Sequence, residues 1–182
     1  MRPFRQDKED KNYLLYPEID VETLKERNTL ANNVYLRTAA LGFVAGLRSM
    51  TPFALLNWSA EQHGEDTTSS FFNSAGARVL TGLAAVGEMV ADKLPTAPSR
   101  ISPGPFVARL VFGGVAGMLL CRRDRQSLVV GALLGVIGAG LGTLAGYYAR
   151  TTLDKKTKVP DFVWGLAEDT LTQSLGMFAV RE

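Results

Sequence analysis

The hydrophobic and polar positions of the chain fall into long blocks, and the longest apolar block lies in its last third. Residues 127–149 contain no charged side chain over 23 positions, which exceeds the roughly 20 apolar residues that a helix needs to cross a bilayer. Glycines recur within this block at spacings of four, three, four and four residues, so they share one helix face. We call them the glycine strip: Gly131, Gly135, Gly138, Gly142 and Gly146. Such a helix is unfavourable in water, but in lipid its strip allows close packing of a second helix.

Four further blocks are apolar enough to enter a membrane, namely residues 34–56, 75–94, 104–121 and 159–180. The first carries Gly42 and Gly46, and the third carries Gly113 and Gly117, as additional close-packing pairs. Thr51-Pro52 is expected to break or kink the first block. The pattern predicts an all-α, polytopic membrane protein with four or five membrane-inserted helices and glycine-rich packing faces. Residues 34–182 form this single domain, and residues 1–33 are a polar cytoplasmic tail.

Basic residues in the connections predict the orientation. Lys25, Arg27 and Arg37 precede or begin the first block, whereas residues 57–70 contain neither lysine nor arginine. This asymmetry favours a cytoplasmic N-terminus. The arginines of residues 122–125 then fall outside, against the rule, so either one element re-enters the membrane or the charge bias is weak. The side on which the C-terminus lies stays open.

A short internal similarity links the first block to the glycine strip. Leu41-Gly-Phe-Val-Ala-Gly46 is similar to Leu141-Gly-Thr-Leu-Ala-Gly146. If every block crosses the membrane, these two helices run in opposite directions, which is the arrangement of an inverted repeat in transporters. The alternative is that alanine, leucine and glycine recur by chance in a close-packed bundle.

Composition excludes several classes of function. The net charge is +2, and the basic residues are scattered rather than gathered in a stripe, so we predict no nucleic-acid partner. One cysteine, Cys121, excludes an internal disulfide and a cysteine-based zinc cluster. One histidine, His63, excludes a paired-histidine metal motif. We predict neither a metal nor a cofactor, and the absence of a serine-hydrolase or phosphate-loop motif favours a non-enzymatic function without excluding catalysis.

Ionisable residues inside the apolar blocks are the candidate chemistry, because such groups are usually paired, hydrated or functional at membrane depth. Glu88 and Asp92 are four residues apart and share a helix face. One alternative is that each acid neutralises an arginine and locks the helices together. Another is that Glu88 and Asp92 lie at the water interface near Pro95. The candidate transport or ion site comprises Glu88, Asp92, Glu168, Asp169, Arg48, Arg100 and Arg109.

Two polar segments that end in proline resemble one another. They are Arg48-Ser-Met-Thr-Pro52 and Ser99-Arg-Ile-Ser-Pro103. Arginine, hydroxyls and exposed amides at a broken helix are suited to holding an anion or a phosphate. The alternative is an ordinary helix end whose hydroxyl caps the backbone.

Three motifs, in order and at fitting distances, resemble the bacterial membrane family called domain of unknown function 4126. They are Gly46-Leu-Arg-Ser-Met-Thr-Pro52, Gly87-Glu-Met-Val-Ala-Asp-Lys-Leu-Pro95 with Pro98-Ser-Arg100, and Glu168-Asp169. The resemblance covers about Leu36 to Val180. It implies an integral protein of the bacterial inner membrane with several glycine-rich helices, and it supplies no activity and no catalytic residue.

Three functions compete at this point. The intramembrane acids and glycine helices favour a small-solute or ion transporter or channel. A membrane enzyme acting on a lipid phosphate or nucleotide is the first alternative, with Mg²⁺ on the acids and the phosphate on Arg48 and Arg100. A structural or assembly subunit of a larger membrane complex is the second. The expected partners are the lipid bilayer and either further copies of the chain or a larger complex.

Overall fold

The computed structural model describes residues 21–63, 74–91, 101–156 and 161–181, and these ranges contain six α-helices and no strand. The prediction of an all-helical protein is confirmed. Two helical segments, Pro103–Arg123 and Leu128–Thr152, are long and apolar enough to cross a membrane, so four or five spans remain a prediction. The helices are α1 (Val21–Leu47), α2 (Thr51–His63), α3 (Ala75–Ala91), α4 (Pro103–Arg123), α5 (Leu128–Lys156) and α6 (Asp161–Val180).

The chain divides into two units, Met1–Asn33 and Val34–Glu182. The described part of the first unit is helical, and in it Thr29 Oγ1 donates a hydrogen bond to the Lys25 carbonyl oxygen at 2.9 Å. The second unit contains every predicted site residue.

Prolines and a tight turn fix the ends of α4. Pro103 opens the helix, where its fixed φ suits the first turn and its missing N–H leaves no donor unsatisfied. At the other end Arg125 adopts a φ of 53°, and the Gln126 amide donates to the Cys121 carbonyl oxygen at 2.7 Å. The chain therefore reverses within a few residues, and α5 packs antiparallel to α4.

The predicted first block is not one span, because the chain turns back inside it. α1 ends at Leu47 and α2 begins at Thr51, so the break lies at the predicted Thr51-Pro52 position. Gly46 near the end of α1 contacts Arg109, whereas Ser59 in α2 contacts Arg123. Those two arginines are 14 positions apart on α4, which is roughly 21 Å at the helical rise. The α1–α2 segment is therefore a helical hairpin that returns toward the end of α4.

The directions of α1 and α5 contradict the inverted-repeat interpretation. Gly42 faces the backbone of Gly135, and further along both helices Gly46 faces Ala139. Residue numbers rise together across this contact, so the two helices run parallel. The expectation of opposite directions was wrong because the return of the chain through α2 adds one reversal between them.

The surface of the unit is apolar and its interior contains charge. Large aliphatic side chains on the outer faces of α3 and α5 are exposed, including Leu83 at 66%, Val129 at 69% and Ile137 at 57%. Arg48 is only 1% exposed and is the largest fully buried side chain in the described residues. Soluble proteins show the reverse distribution of charged side chains. Together with the two helices of spanning length, this distribution indicates a membrane location.

Candidate functional site

A polar cluster surrounds the break between α1 and α2. We call it the tip cluster, and it contains the segment Gly46–Thr51 with four side chains from other helices. α3 contributes Glu88, α4 contributes Arg109, α5 contributes Thr143 and α6 contributes Asp169. A helix break leaves backbone donors and acceptors without intrahelical partners, and each of these side chains, directly or through Arg48, engages that break.

Glu88 binds the backbone at the start of α2. Its Oε1 accepts a hydrogen bond from the Ser49 amide at 2.7 Å, and its Oε2 accepts one from the Met50 amide at 2.8 Å. Both amides precede α2, where the helix dipole adds positive potential. The carboxylate is therefore an anion held at a helix N-terminus by two converging N–H groups.

Hydrogen-bond donors and a positive charge lie at the C-terminal end of α1. The Gly46 carbonyl oxygen accepts from Thr143 Oγ1 at 3.0 Å and from Arg109 Nη1 at 3.4 Å. The Thr143 hydroxyl also lies 2.8 Å from the carbonyl oxygen of Ala139, one turn earlier in α5. A cation near a helix C-terminus is favourable, so the two broken ends are complemented by charges of opposite sign.

Arg48 connects the break to α6. Its Nη2 forms an ion pair with Oδ1 of Asp169. The side chains are 1% and 8% exposed, so water screens the pair little. Burying two charges is tolerated when they are paired and further hydrogen-bonded. This ion pair therefore links the non-helical segment between α1 and α2 to α6.

The tip cluster contacts α5 well inside its apolar segment, Leu128–Thr152. Thr143 follows Leu128 by 15 positions, which is roughly 22 Å along α5, and precedes Thr152 by nine, roughly 14 Å. The cluster is therefore distant from both ends of the apolar segment. Charges at such a depth in a bilayer are unfavourable unless they are paired or serve a function.

The tip cluster unites four of the seven predicted site residues, namely Arg48, Glu88, Arg109 and Asp169. Glu168 lies elsewhere, since successive helical residues point about 100° apart. It lines a cleft of about 270 Å³ between α1, α5 and α6, together with Arg150 and Trp164. Asp92 and Arg100 lie outside the described residues, as does Pro95. The predicted Glu88–Asp92 face and its interfacial alternative are therefore not tested.

Two threonines that are not among the seven predicted site residues belong to the tip cluster, and one of them, Thr51, lies in the Arg48–Pro52 segment predicted to suit an anion. Thr143 had one signal, since it is a hydroxyl residue beside Gly142 in a charge-free block. Thr51 is 1% exposed, and its Oγ1 has no hydrogen-bond partner among the described residues. Its signal was its position before Pro52 at the predicted break.

The glycine strip explains how Thr143 reaches the break. Glycines of the strip lie against backbone atoms of α4 on one side and of α1 on the other. Gly131 faces Gly117 and Gly135 faces Gly113, whereas Gly138 and Gly142 face Phe43. Because no side chain separates the backbones of α1 and α5, a short hydroxyl side chain spans the gap. Gly146 instead lines the cleft beside Glu168.

The described residues contain no group of three or more histidine, cysteine, aspartate or glutamate side chains arranged to hold a metal ion. Glu88 is bound to two amides and Asp169 to Arg48. Cys121 is buried beside Thr38, with 3.4 Å between sulfur and hydroxyl oxygen, and His63 is the last residue of α2.

No protein-family model, no curated protein and no solved structure matches this chain. The resemblance to the domain of unknown function 4126 family stays a prediction.

Proposed function

We propose that this protein is an integral membrane transporter or channel for a small solute or ion, with the tip cluster as its polar site. The observation that supports this best is the broken hairpin, whose α1 end at Gly46 contacts Thr143, roughly 14 Å inside the apolar segment of α5. Backbone that leaves the helical conformation at membrane depth is tolerated where it is buried in protein or lines a path. Transporters use such broken helices, with their oriented dipoles, to hold ions and charged substrates.

The proposed topology has four crossing helices, α3 to α6, and one re-entrant hairpin formed by α1 and α2. It puts residues 122–125 on the same side as Val34, since Arg37 pairs with Asp124 at 3.3 Å. Of the two explanations for the misplaced arginines, this favours a re-entrant element. A cytoplasmic N-terminus in a bacterial inner membrane remains our proposal.

The charged residues at the break favour a transport function over a purely structural role for the tip cluster. An uninterrupted apolar helix would need none of the charges at the tip cluster. Replacing a buried ion pair by apolar residues of similar volume is often neutral or stabilising, so bracing alone is a weak reason for burying Arg48 with Asp169. No contact among the described residues favours either the Mg²⁺-dependent enzyme or the assembly subunit.

The test is flux through the purified protein in liposomes. We would compare uptake of monovalent cations, monovalent anions and small neutral solutes into vesicles with and without protein. Glu88→Gln and Asp169→Asn are expected to reduce the transported species at least tenfold. Asp124→Asn breaks a charged pair away from the tip cluster and is the matched control, expected to retain flux.

Circular dichroism and size-exclusion chromatography in detergent would establish that each variant is folded. If no solute crosses, or if both tip-cluster variants transport at the rate of Asp124→Asn, the proposal is wrong.

A further inference from the structure

We infer that the start of α2 is a binding site for a small monovalent anion, and that the carboxylate of Glu88 occupies it as a tethered competitor. This inference rests on the proposed function and names its substrate class. The donors of the site are the amides of Ser49 and Met50 and the hydroxyl of Thr51.

The carboxylate of Glu88 shows what the amides at the start of α2 bind. Two consecutive amides, at the start of a 13-residue helix, each donate to one oxygen of the same carboxylate. Converging N–H groups at a helix N-terminus are a general receptor for small anions. The side chain of Glu88 therefore reports what these donors bind, and a free anion of similar size fits the same donors when the side chain withdraws.

The buried hydroxyl of Thr51 also indicates a missing hydrogen-bond acceptor at this position. Other buried threonines donate to the carbonyl oxygen one turn earlier, as Thr38 does to Val34 at 2.8 Å and Thr172 to Glu168 at 2.7 Å. Thr51 is the first residue of α2, and the residue four positions earlier, Leu47, belongs to α1. Its Oγ1 is buried without a partner among the described residues, which is unfavourable unless something else accepts its proton. An anion at the neighbouring amides is such an acceptor.

The charges around the amides also favour an anion. Among the described side chains of the tip cluster, Arg48 and Arg109 are positive and Glu88 and Asp169 are negative, so these four charges cancel. When the Glu88 carboxylate moves away from the amides, the other three side chains carry one net positive charge. A monovalent anion at the amides restores the balance, whereas a cation meets a positive site.

The anion and the Glu88 carboxylate exclude one another. The carboxylate releases the Ser49 and Met50 amides, and the anion accepts their hydrogen bonds. Anion binding therefore requires the Glu88 side chain to move away, and removing that side chain should strengthen anion binding.

The probes are sodium nitrate and sodium chloride, with sodium gluconate at equal ionic strength as the reference. Isothermal titration calorimetry of the full chain in detergent measures binding. Glu88→Ala removes the competitor and is expected to bind nitrate at least tenfold more tightly than the unmodified protein.

Thr51→Val keeps Glu88 and removes only the hydroxyl, so it tests the site even if Glu88→Ala fails to fold. We expect at least a fivefold loss of nitrate affinity with no fall in the midpoint of thermal unfolding. Thr38→Val is the matched control, since Thr38 is a buried threonine nine positions before the end of α1, and it should bind nitrate normally. Equal nitrate binding by Thr51→Val and Thr38→Val, or no binding of either probe, overturns the inference.

The two proposals fail in different ways. Cation or neutral-solute flux without nitrate binding leaves a transporter and overturns the anion site. Nitrate binding that depends on Thr51, without flux of any solute, supports the anion site and overturns the transport function.

Discussion

Gly135 is the position at which the packing of three helices can be tested most directly. A Cβ atom there would lie 2.8 Å from the Gly113 carbonyl carbon and 3.1 Å from Gly114 Cα, and closer still to the Gly113 carbonyl oxygen. These are all backbone atoms, so no side-chain rotation relieves the overlap. Gly135→Ala therefore forces α4 and α5 apart by several tenths of an ångström along their tightest contact.

The magnitude follows from comparison with Gly140→Ala. A Cβ at Gly140 meets only Leu110 Cδ2, at 3.5 Å, which is ordinary contact. Replacing a helical glycine by alanine gains about 0.8–1 kcal/mol of intrinsic helix stability, and this gain is common to both variants. Overpacking a well-packed site costs roughly 1–3 kcal/mol. The free energies of unfolding of the two variants should therefore differ by that overpacking term, with Gly135→Ala the less stable.

Unfolding of both variants in the same detergent, followed by circular dichroism against added dodecyl sulfate, measures this difference. The unmodified protein gives the reference, and Gly140→Ala should match or exceed it. If Gly135→Ala is as stable as Gly140→Ala, the backbones of α4 and α5 do not approach as described.

In the same unfolding assay, Arg48→Met and Asp169→Leu should each lower the free energy of unfolding by about 3–5 kcal/mol, because each removes the ion-pair partner of a buried charge. The double variant should recover most of that loss. Additive losses would mean that the two side chains do not interact. Topology is tested in a Cys121→Ala background by thiol labelling of intact spheroplasts, inverted vesicles and solubilised protein with a membrane-impermeant reagent. Cysteines at Tyr35 and Trp58 should react from one side of the membrane and a cysteine at Ser102 from the other, whereas a single span over residues 34–56 would put Trp58 opposite Tyr35.

The sequence predicted best what depends on local pattern. The charge-free block and its glycine spacing predicted α5, and the apolar block 104–121 with Gly113 and Gly117 predicted α4, because span length and glycine periodicity belong to one segment at a time. The break at Thr51-Pro52 was visible for the same reason. Proline restricts its own residue and the one before it, whatever surrounds them.

The turn of the chain at that break was not predictable from the same residues. Whether residues 34–56 cross or fold back depends on groups far along the chain, such as Glu88 and Asp169, which engage the broken ends. The direction of α1 relative to α5 depends on this turn, so the internal similarity led to the wrong orientation. Likewise, adjacency in sequence joined Glu168 to Asp169, whereas helical geometry separates their directions.

The fold and the candidate site of this protein depend on the same contacts. A helix that breaks among apolar neighbours exposes amides and carbonyls that water does not reach, so other helices must supply the partners. Glu88 satisfies the amides, and Thr143 and Arg109 satisfy the Gly46 carbonyl, which Thr143 reaches because the glycine strip brings α5 close. Any change at Glu88 therefore perturbs structure and function together. Thr51 is different, because its hydroxyl satisfies no described group, and its loss separates a ligand-binding role from a structural one.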